Sequence, residues 1–299
     1  MKVPDELDDT RVDRAVATLF ALPTATARAL CEQGRVRVNG RKQRKGDRVK
    51  AGAVVDVEAP DWFVAGAPAA VILRETRDVV VVDKPAGVPC HPLVPGEGGT
   101  VADAVVAAFP EVKSAGLEER EAGLLHRLDT GTSGCLAFAR SRAVWLDLRQ
   151  AFDLVDKTYL AIVQGSCAAA VVDDPIGHDP SDPKRMRVDP AGRAAKTVVT
   201  PLSSSSQASL VKLALHGGRR HQLRVHLAQL GHPLVGDALY ALSSPLPSSG
   251  EGAGVRGLSS TSGFHLHAWK LGLPSVDVVE APLPPAFLAA LAAFGLSKP

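Results

Sequence analysis

Four short apolar runs constrain the fold of this chain more than any other feature of its sequence. They read VVVVD at 79–83, CLAFA at 135–139, TYLAIV at 158–163 and LVKLAL at 210–215. Runs of four to eight apolar and β-branched residues are typical of strands that lie buried in a sheet. Helix-like segments alternate with them, at 100–109, 141–153 and 220–230, and a last helix follows Pro284. We therefore predict a large domain built on a sheet with flanking helices.

The beginning of the chain reads as a separate small unit. The apolar residues of RVDRAVATLFAL recur at helical spacing, and a second helix is expected after Pro23 and ends at Gly34. Two short strands follow, RVRVNG and AVVDVEA. We predict a first domain at 11–60, a linker at 61–70 and a second domain at 71–299.

One segment of the second domain differs from the rest in composition. Residues 241–263 contain seven Ser, five Gly and two Pro, and only Glu251 and Arg256 are charged. Such a segment cannot bury enough apolar surface to offset the entropy of ordering its backbone. We therefore expect a flexible insertion without a catalytic role.

Charge is unevenly distributed along the chain. The sequence has 34 Lys and Arg against 32 Asp and Glu, for a formal net charge of +2. Between positions 28 and 50, however, nine basic residues stand against two acidic ones, a local net charge of +7. Such a run is often only a solvated face, but on a helix end and a hairpin it also suits a phosphate backbone. The candidate contacts are Arg35, Arg37, Arg41, Lys42, Arg44 and Lys45.

The sequence argues against a membrane span, a disulfide framework and a metal site. Its longest uncharged apolar stretch, 281–296, is broken by three prolines, whereas a helix that spans a bilayer needs about 20 apolar residues. The four cysteines lie at least 32 residues apart, and no HExxH or Cys/His ligand set is present. We expect a cytoplasmic protein that binds no metal.

One acid lies in a setting that suits chemistry. Asp129 stands between an apolar strand and the turn TGTSG, next to His126 and Arg127. Gly131 and Gly134 permit tight backbone geometry near a ligand, and the hydroxyls and amides of the turn can hydrogen-bond a carboxylate. On these residues alone, Asp129 is either an acid that caps the turn or a nucleophile.

A basic cluster lies near the end of the second domain. In GGRRHQLRVHLAQLG, the leucines recur at helical spacing and should face the core, which places Arg220, His221 and Arg224 on another side of a helix. With Arg219 and His226 they form a cationic cluster that has no acid close by in the sequence. The cluster and the exposed amides of a helix N-terminus both suit phosphate.

Aromatic residues are scarce, with two Tyr, three Trp and eight Phe. This excludes the rows of rings on which single-strand binders stack several bases. Tyr159, two residues after Lys157 at the start of a strand, is the better placed of the two tyrosines to hold one base. Without such a role it is an ordinary core tyrosine.

Four stretches, taken in order, resemble the motifs of the RluA family of pseudouridine synthases. They are DKPAGVPCHP, HRLDTGTSG, KTYLAIVQG and GRRHQLRVHLAQLGHPLVGDALY, and the basic connector at 175–197 also matches. The N-terminal unit resembles the alpha-L RNA-binding module of a small-subunit ribosomal protein and of several rRNA-modifying enzymes. The resemblance covers about residues 11 to 292. It implies a pseudouridine synthase fold of the α+β class, with a mixed, largely antiparallel sheet. A small α+β RNA-binding module precedes this domain in the chain.

The resemblance also implies roles for single residues. Asp129 would be the catalytic carboxylate, Tyr159 would stack on a flipped uracil, and Arg224 would pair with Asp129 and hold it charged. No cofactor or metal is implied, and we expect a monomer. The candidate RNA contacts of this domain are His126, Arg127, Lys157, Arg219, Arg220 and His221.

The expected substrate is RNA, most specifically large-subunit ribosomal RNA, because the alpha-L module precedes the synthase domain in family members of that type. The alternatives are transfer RNA, or a non-catalytic RNA-binding role in ribosome assembly. The chain departs from the family where GGRRHQLRVH replaces the usual TGRTHQIRVH, so that Gly217 and Arg220 stand in place of two threonines. No implied catalytic residue is replaced.

Overall fold

The computed structural model describes residues 1–58, 61–66, 70–241, 263–274 and 276–299. Residues 242–262 of the expected flexible insertion therefore lie outside the described residues. The helices within the described ranges are α1 (Val12–Leu19), α2 (Thr24–Glu32), α3 (Val101–Ala108), α4 (Arg142–Ala151), α5 (Gln222–Gln229) and α6 (Pro285–Ala293). The strands are β1 (Val36–Val38), β2 (Arg41–Lys42), β3 (Val55–Val57), β4 (Val71–Glu75), β5 (Val79–Lys84), β6 (Ser133–Ala139), β7 (Asp156–Gln164), β8 (Ala170–Val172), β9 (Ile176–His178), β10 (Met186–Val188), β11 (Lys196–Ser204), β12 (Ala208–His216), β13 (Leu266–Gly272) and β14 (Val279–Glu280).

The N-terminal unit packs two helices against a small antiparallel sheet. Its strands run in the order β2-β1-β3, and α1 and α2 bury Val12, Val16 and Leu30 against Val36 and Val55. The apolar residues of α1 recur every three or four positions, so they form one stripe that faces this core. Both helices and both main strands expected here are present.

The second part of the chain is built on one large mixed sheet. Among the described residues its strands run in the order β4-β5-β6-β13-β7-β12-β11-β8, and β14 pairs with β13. All neighbours are antiparallel except β6 and β13, which run parallel. The four apolar runs became β5, β6, β7 and β12, and all seven residues of β6 are buried. The expected α+β class with a largely antiparallel sheet is confirmed.

Helices cover both faces of the central strands. Val80 and Val82 of β5 pack with α3 on one face, and Val79 and Val81 pack with Trp145 of α4 on the other. Alternate residues of a strand point to opposite faces, which explains why a continuous apolar run is needed here. The C-terminal α6 packs against β7 and β12. None of the helices in the described part of the chain is long and apolar enough to cross a membrane.

The observed helix α5 differs from the amphipathic helix that the sequence predicts at 220–230. It begins only at Gln222, and every residue from 222 to 227 is buried. His221 precedes it in a left-handed backbone conformation, with φ 56° and ψ 17°. The Gln222 side chain accepts hydrogen bonds from the amides of Gly218 and Arg219 at 3.1 and 3.0 Å. These two amides, which lead into the helix, are therefore taken up within the protein.

Candidate active site

The turn that carries Asp129 is anchored by the first motif. The amide of Thr132 donates to the main-chain carbonyl of Asp129 at 2.9 Å. The fully buried Lys84 donates from Nζ to the carbonyl of Thr130 at 3.0 Å, and the amide of Gly87 donates to the same carbonyl at 2.8 Å. Burial lowers the pKa of Lys84 to about 8. The segment DKPAG thus fixes the backbone on which the candidate nucleophile stands.

Two glycines of the turn are required by close approach of other groups. A Cβ atom at Gly131 would lie 2.9 Å from the ring of Phe264. Gly134 has a φ of +110°, and a Cβ atom there would lie 2.2 Å from the carbonyl oxygen of Ala268 on the parallel strand β13. Any larger side chain would separate β6 from β13 or displace Phe264.

The carboxylate of Asp129 faces two side chains from the C-terminal part of the chain. Oδ2 accepts a hydrogen bond from Nη1 of Arg224 at 3.1 Å, and Oδ1 lies 3.9 Å from Nε2 of His221. We expected the hydroxyls and amides of the turn to bind this carboxylate. Within the described residues the hydrogen bond that it accepts comes instead from Arg224, because the turn amide of Thr132 is directed at the main-chain carbonyl of Asp129.

Arg224 is held on both sides by carboxylates. The buried Asp237 accepts hydrogen bonds from its Nε and Nη2 at 2.7 and 2.8 Å, opposite the contact with Asp129. The guanidinium also lies 4.9 Å from the ring centre of Tyr240 and 4.5 Å from that of Phe264. Burial lowers the pKa of Arg224, but the hydrogen bond and charge of Asp237, followed by those of Asp129, raise it overall. The fold thus brings two acids to a cluster that has none close by in the sequence, and the expected pairing of Arg224 with Asp129 is present.

Tyr159 lies on the central strand β7, between β12 and β13. It pairs with Leu213 on one side and Ala268 on the other, and only 6% of its surface is exposed. Burial, followed by the negative charge of Asp129, raises the pKa of the phenol. At neutral pH the ring is therefore an uncharged apolar surface that carries one hydroxyl group.

A cavity of about 1210 Å³ joins the candidate residues of the second domain. Beside Asp129 and Tyr159 a smaller recess of about 70 Å³ is lined by apolar side chains such as Leu223 and Leu266. A concave, largely preformed site with a few converging polar groups is typical of an active site. The predicted residues that line the large cavity are His126, Arg127, Asp129, Lys157, Tyr159, Arg219, Arg220, His221 and Arg224.

Two of these candidates, His126 and Lys157, already have polar partners inside the protein. His126 accepts the amide of Ala137 at 3.2 Å, and its ring stacks on Phe152 at 4.9 Å. Burial, followed by the charges of nearby Lys157 and Arg149, lowers its pKa to about 3, so this ring stays neutral. Lys157 donates to the carbonyl of Phe152 at 2.8 Å.

Arg220, the departure from the family motif, also bonds to the protein. Its guanidinium donates to the carbonyls of Pro183 and Lys184 at 3.4 and 3.2 Å. These residues lie between β9 and β10, so Arg220 ties that hairpin to the segment before α5. Arg127 is more open, with 63% of its side chain exposed and a contact of 3.4 Å to Glu121.

The six candidates of the N-terminal unit do not line this cavity. They lie on β1, β2 and the adjoining loops. Lys45 pairs with Glu32 at 2.5 Å, and Arg35 lies 3.6 Å from Glu58. For Arg37, Arg41, Lys42 and Arg44, no carboxylate of the described residues lies within 4 Å.

Sequence reasoning did not assign roles to Lys84, Asp237, Tyr240 and Phe264. The first three lie inside motifs that carried the resemblance, DKPAG and LVGDALY, which was a usable signal. Phe264 had no such signal, because it follows a segment without a motif. Among the described residues, no group of three or more His, Cys, Asp and Glu side chains could hold a metal ion.

Known proteins similar to this chain share one activity in their names. A family model described as RNA pseudouridylate synthase matches residues 78–229, and one described as S4 domain matches residues 10–55. An uncharacterized RNA pseudouridine synthase of Mycobacterium bovis is 38% identical, over 82% of this chain and 83% of that protein. The ribosomal large subunit pseudouridine synthase D of Nitrosomonas europaea is 34% identical, over 98% of this chain and 87% of that protein. The structure of human RNA pseudouridylate synthase domain containing 4 matches with a TM-score of 0.59 and 29% identity, over 77% of this chain and 94% of that one.

Proposed function

Because this chain belongs to the RluA family of pseudouridine synthases and carries an S4 RNA-binding domain, we propose that it isomerises uridines in large-subunit ribosomal RNA. Two relatives are named for that substrate. The one from Nitrosomonas europaea is aligned over 98% of this chain, and the one from Pseudomonas aeruginosa over 96%. The observation that carries the proposal is the ion pair of Asp129 and Arg224, 3.1 Å apart in the cavity.

In this proposal Asp129 is the nucleophile. Its carboxylate attacks the ribose or the uracil ring, the bond between the base and the anomeric carbon breaks, and the uracil turns. Carbon 5 then joins the anomeric carbon, the bond to Asp129 breaks and restores the carboxylate, and carbon 5 loses its proton while nitrogen 1 gains one. Arg224 holds the carboxylate in one orientation, since it is itself fixed by Asp237 at 2.7 and 2.8 Å.

The target uridine must leave its stack to reach Asp129. Extrusion of a base costs a few kcal/mol, and contacts between cations and phosphates supply a compensating attraction. Arg127, with 63% of its side chain exposed beside the cavity, is suited to that task, and Arg219 also lines the cavity, where its Nε donates to the carbonyl of Ala194 at 3.0 Å. Tyr159 then offers its uncharged ring to the flipped base.

The proposal is tested with Asp129→Asn and a matched change of an exposed acid, Asp147→Asn on α4. We expect Asp129→Asn to abolish pseudouridine formation in bulk rRNA and to leave RNA binding intact, because the amide keeps the size of the side chain but not its nucleophilicity. Asp147→Asn should retain full activity. Pseudouridine formation by Asp129→Asn at the normal rate would contradict the assigned role.

Mapping of pseudouridines in total RNA, with and without the gene, tests the substrate. We expect the missing modifications to lie in large-subunit rRNA. If they lie in tRNA, the substrate class is wrong while the enzyme class stands. If none is missing, and cells with Asp129→Asn assemble ribosomes normally while cells without the protein do not, the chain acts as an RNA-binding assembly factor.

A further inference from the structure

The hydroxyl group of Tyr240 joins the β9–β10 hairpin to His221. It accepts the backbone amide of Met186, the first residue of β10, at 2.8 Å. It also lies 2.8 Å from Nδ1 of His221. A backbone N–H can only donate, so the proton of the phenol is free to point at Nδ1. Burial raises the pKa of Tyr240, so the phenol keeps that proton at neutral pH.

The direction of this hydrogen bond fixes which nitrogen of His221 carries a proton. When Nδ1 accepts a hydrogen bond, the neutral imidazole holds its proton on Nε2. Nε2 lies 3.9 Å from Oδ1 of Asp129, the oxygen that Arg224 does not bind. The left-handed backbone of His221, uncommon for a residue other than glycine, aims the ring at that oxygen.

We propose that His221 is a positioning residue for Asp129, and that Tyr240 makes it one by holding the imidazole as the Nε2–H tautomer. The inference rests on the proposed function, in which Asp129 is the catalytic carboxylate. A separation of 3.9 Å exceeds a hydrogen bond by about 1 Å. Catalytic hydrogen bonds commonly shorten when substrate is bound, and the bond closes as Asp129 turns toward the uridine.

Burial keeps His221 neutral, although four charged groups surround it. Arg224 and Arg220 face it as cations, and Asp129 and Asp237 face it as anions, while Tyr240 is uncharged. Burial first, and then the two arginines, lower the pKa of His221 against the opposing effect of Asp129. The neutral ring is therefore the form present at pH 7 and above, where its tautomer matters.

Tyr240→Phe isolates the hydroxyl group, because it keeps the ring against Arg224 and Arg185. The neutral His221 of this variant can place its proton on Nδ1 and turn a lone pair toward Asp129. At pH 8 we expect kcat to fall about threefold to tenfold, the effect of one ordinary hydrogen bond, with KM for RNA unchanged. As the pH falls through the pKa of His221, which burial places below the usual 6.5, the ratio to wild type should rise toward one, because an imidazolium always carries a proton on Nε2.

Arg185→Met is the matched control, since it removes a cation from the face of the same ring and leaves the hydroxyl in place. Any loss of kcat that this control causes should be the same at every pH. A deficit of Tyr240→Phe that does not change with pH, or no deficit at pH 8, would overturn the inference. Such a result, with an active wild type and an inactive Asp129→Asn, leaves the proposed function standing.

A second pair of variants applies even if Tyr240→Phe does not fold. His221→Gln keeps an N–H donor of similar reach, whereas His221→Asn suits the left-handed backbone but is too short. We expect His221→Gln to retain severalfold more kcat than His221→Asn at equal KM, and neither ratio to wild type to recover at low pH. Equal kcat values for the two variants would contradict a positioning role.

Discussion

At the scale of single residues, the arrangement around Arg224 explains how a buried guanidinium and a partly exposed carboxylate coexist. Removal of two charges from water is costly, and the cost is recovered only when good geometry and hydrogen bonds satisfy both groups. Asp237, with 1% of its side chain exposed, provides that geometry through two hydrogen bonds. Asp129, with 27% exposed, remains accessible to substrate on the other side. The buried acid anchors the arginine, and the arginine directs the exposed acid.

Asp237→Asn should therefore damage both stability and turnover. It keeps an acceptor for the amides of Leu239 and Tyr240 but leaves Arg224 without its buried countercharge. We expect the free energy of unfolding, measured with urea, to fall by about 3 kcal/mol. We expect kcat to fall about tenfold or more, because Arg224 no longer holds Asp129 in one orientation.

The control for this change is Glu280→Gln, which breaks the exposed ion pair with Lys270 at 2.9 Å. Exposed pairs contribute about 1 kcal/mol or less, so this variant should be nearly as stable as the wild type. Equal losses of stability in the two variants would show that Asp237 does not act as a buried countercharge.

At the scale of elements, the cations of the N-terminal unit fall into two groups. Arg41 and Lys42 form β2, and neither they nor Arg44 have a carboxylate of the described residues within 4 Å. Arg48 and Lys50 lie 2.9 and 3.1 Å from Asp9. A cation that is already paired must exchange its carboxylate before it can bind a phosphate. The loop and strand that carry Arg41, Lys42 and Arg44 are thus better suited to bind RNA phosphates than the segment at 48–50.

We predict different salt dependences for two triple variants of equal charge. Arg41→Gln, Lys42→Gln and Arg44→Gln together should weaken RNA binding and reduce the slope of log affinity against log salt by about 0.7 to 0.9 for each phosphate that the variant no longer binds. Lys45→Gln, Arg48→Gln and Lys50→Gln together should change the slope less. Filter binding at several salt concentrations measures both, and equal slopes would mean that only net charge matters.

At the scale of the whole molecule, five histidines, three of them buried and two half-buried, make stability depend on pH. Burial is the first cause of the lowered pKa in each of them, and the folded chain therefore holds the rings neutral. Below about pH 6.5 the unfolded chain binds protons that the folded chain does not, so stability falls as the pH falls. The five are His126, His221, His226, His265 and His267.

Acidification from pH 7.5 to 5.5 should therefore lower the free energy of unfolding, by up to about 1.4 kcal/mol for each such histidine. His126→Gln keeps an acceptor for the amide of Ala137. In this variant the free energy of unfolding should fall less on acidification, by about the contribution of one histidine. The control is His178→Gln, which replaces an exposed histidine on β9 and should leave the loss unchanged. An equal pH dependence in the wild type and His126→Gln would contradict this account.

Much of the fold could be predicted because its signals are local. The apolar runs of β5, β6, β7 and β12 mark buried strands without knowledge of their neighbours, since burial on both faces requires continuous apolar sequence. The β9–β10 hairpin could not be predicted in this way. Its strands have three residues each, which is too few to show the alternation of apolar and polar residues that marks a strand. The hairpin is also held by hydrogen bonds to Arg220 and Tyr240, which lie in a distant segment of the chain.

The sequence by itself determined the family, the buried strands and the basic N-terminal unit, and it singled out Asp129 as the candidate nucleophile, because each depends on residues that are close together in the chain. The family resemblance also implied that Arg224 pairs with Asp129, but only the tertiary structure decided what else surrounds that acid. Arg224 is 95 residues from Asp129 and 13 from Asp237, and the contacts among them arise from the way α5 packs beside the turn that carries Asp129. The orientation of His221 likewise depends on a left-handed backbone and on the hydroxyl of Tyr240. Such contacts follow from packing between distant segments, and no local pattern of residues encodes them.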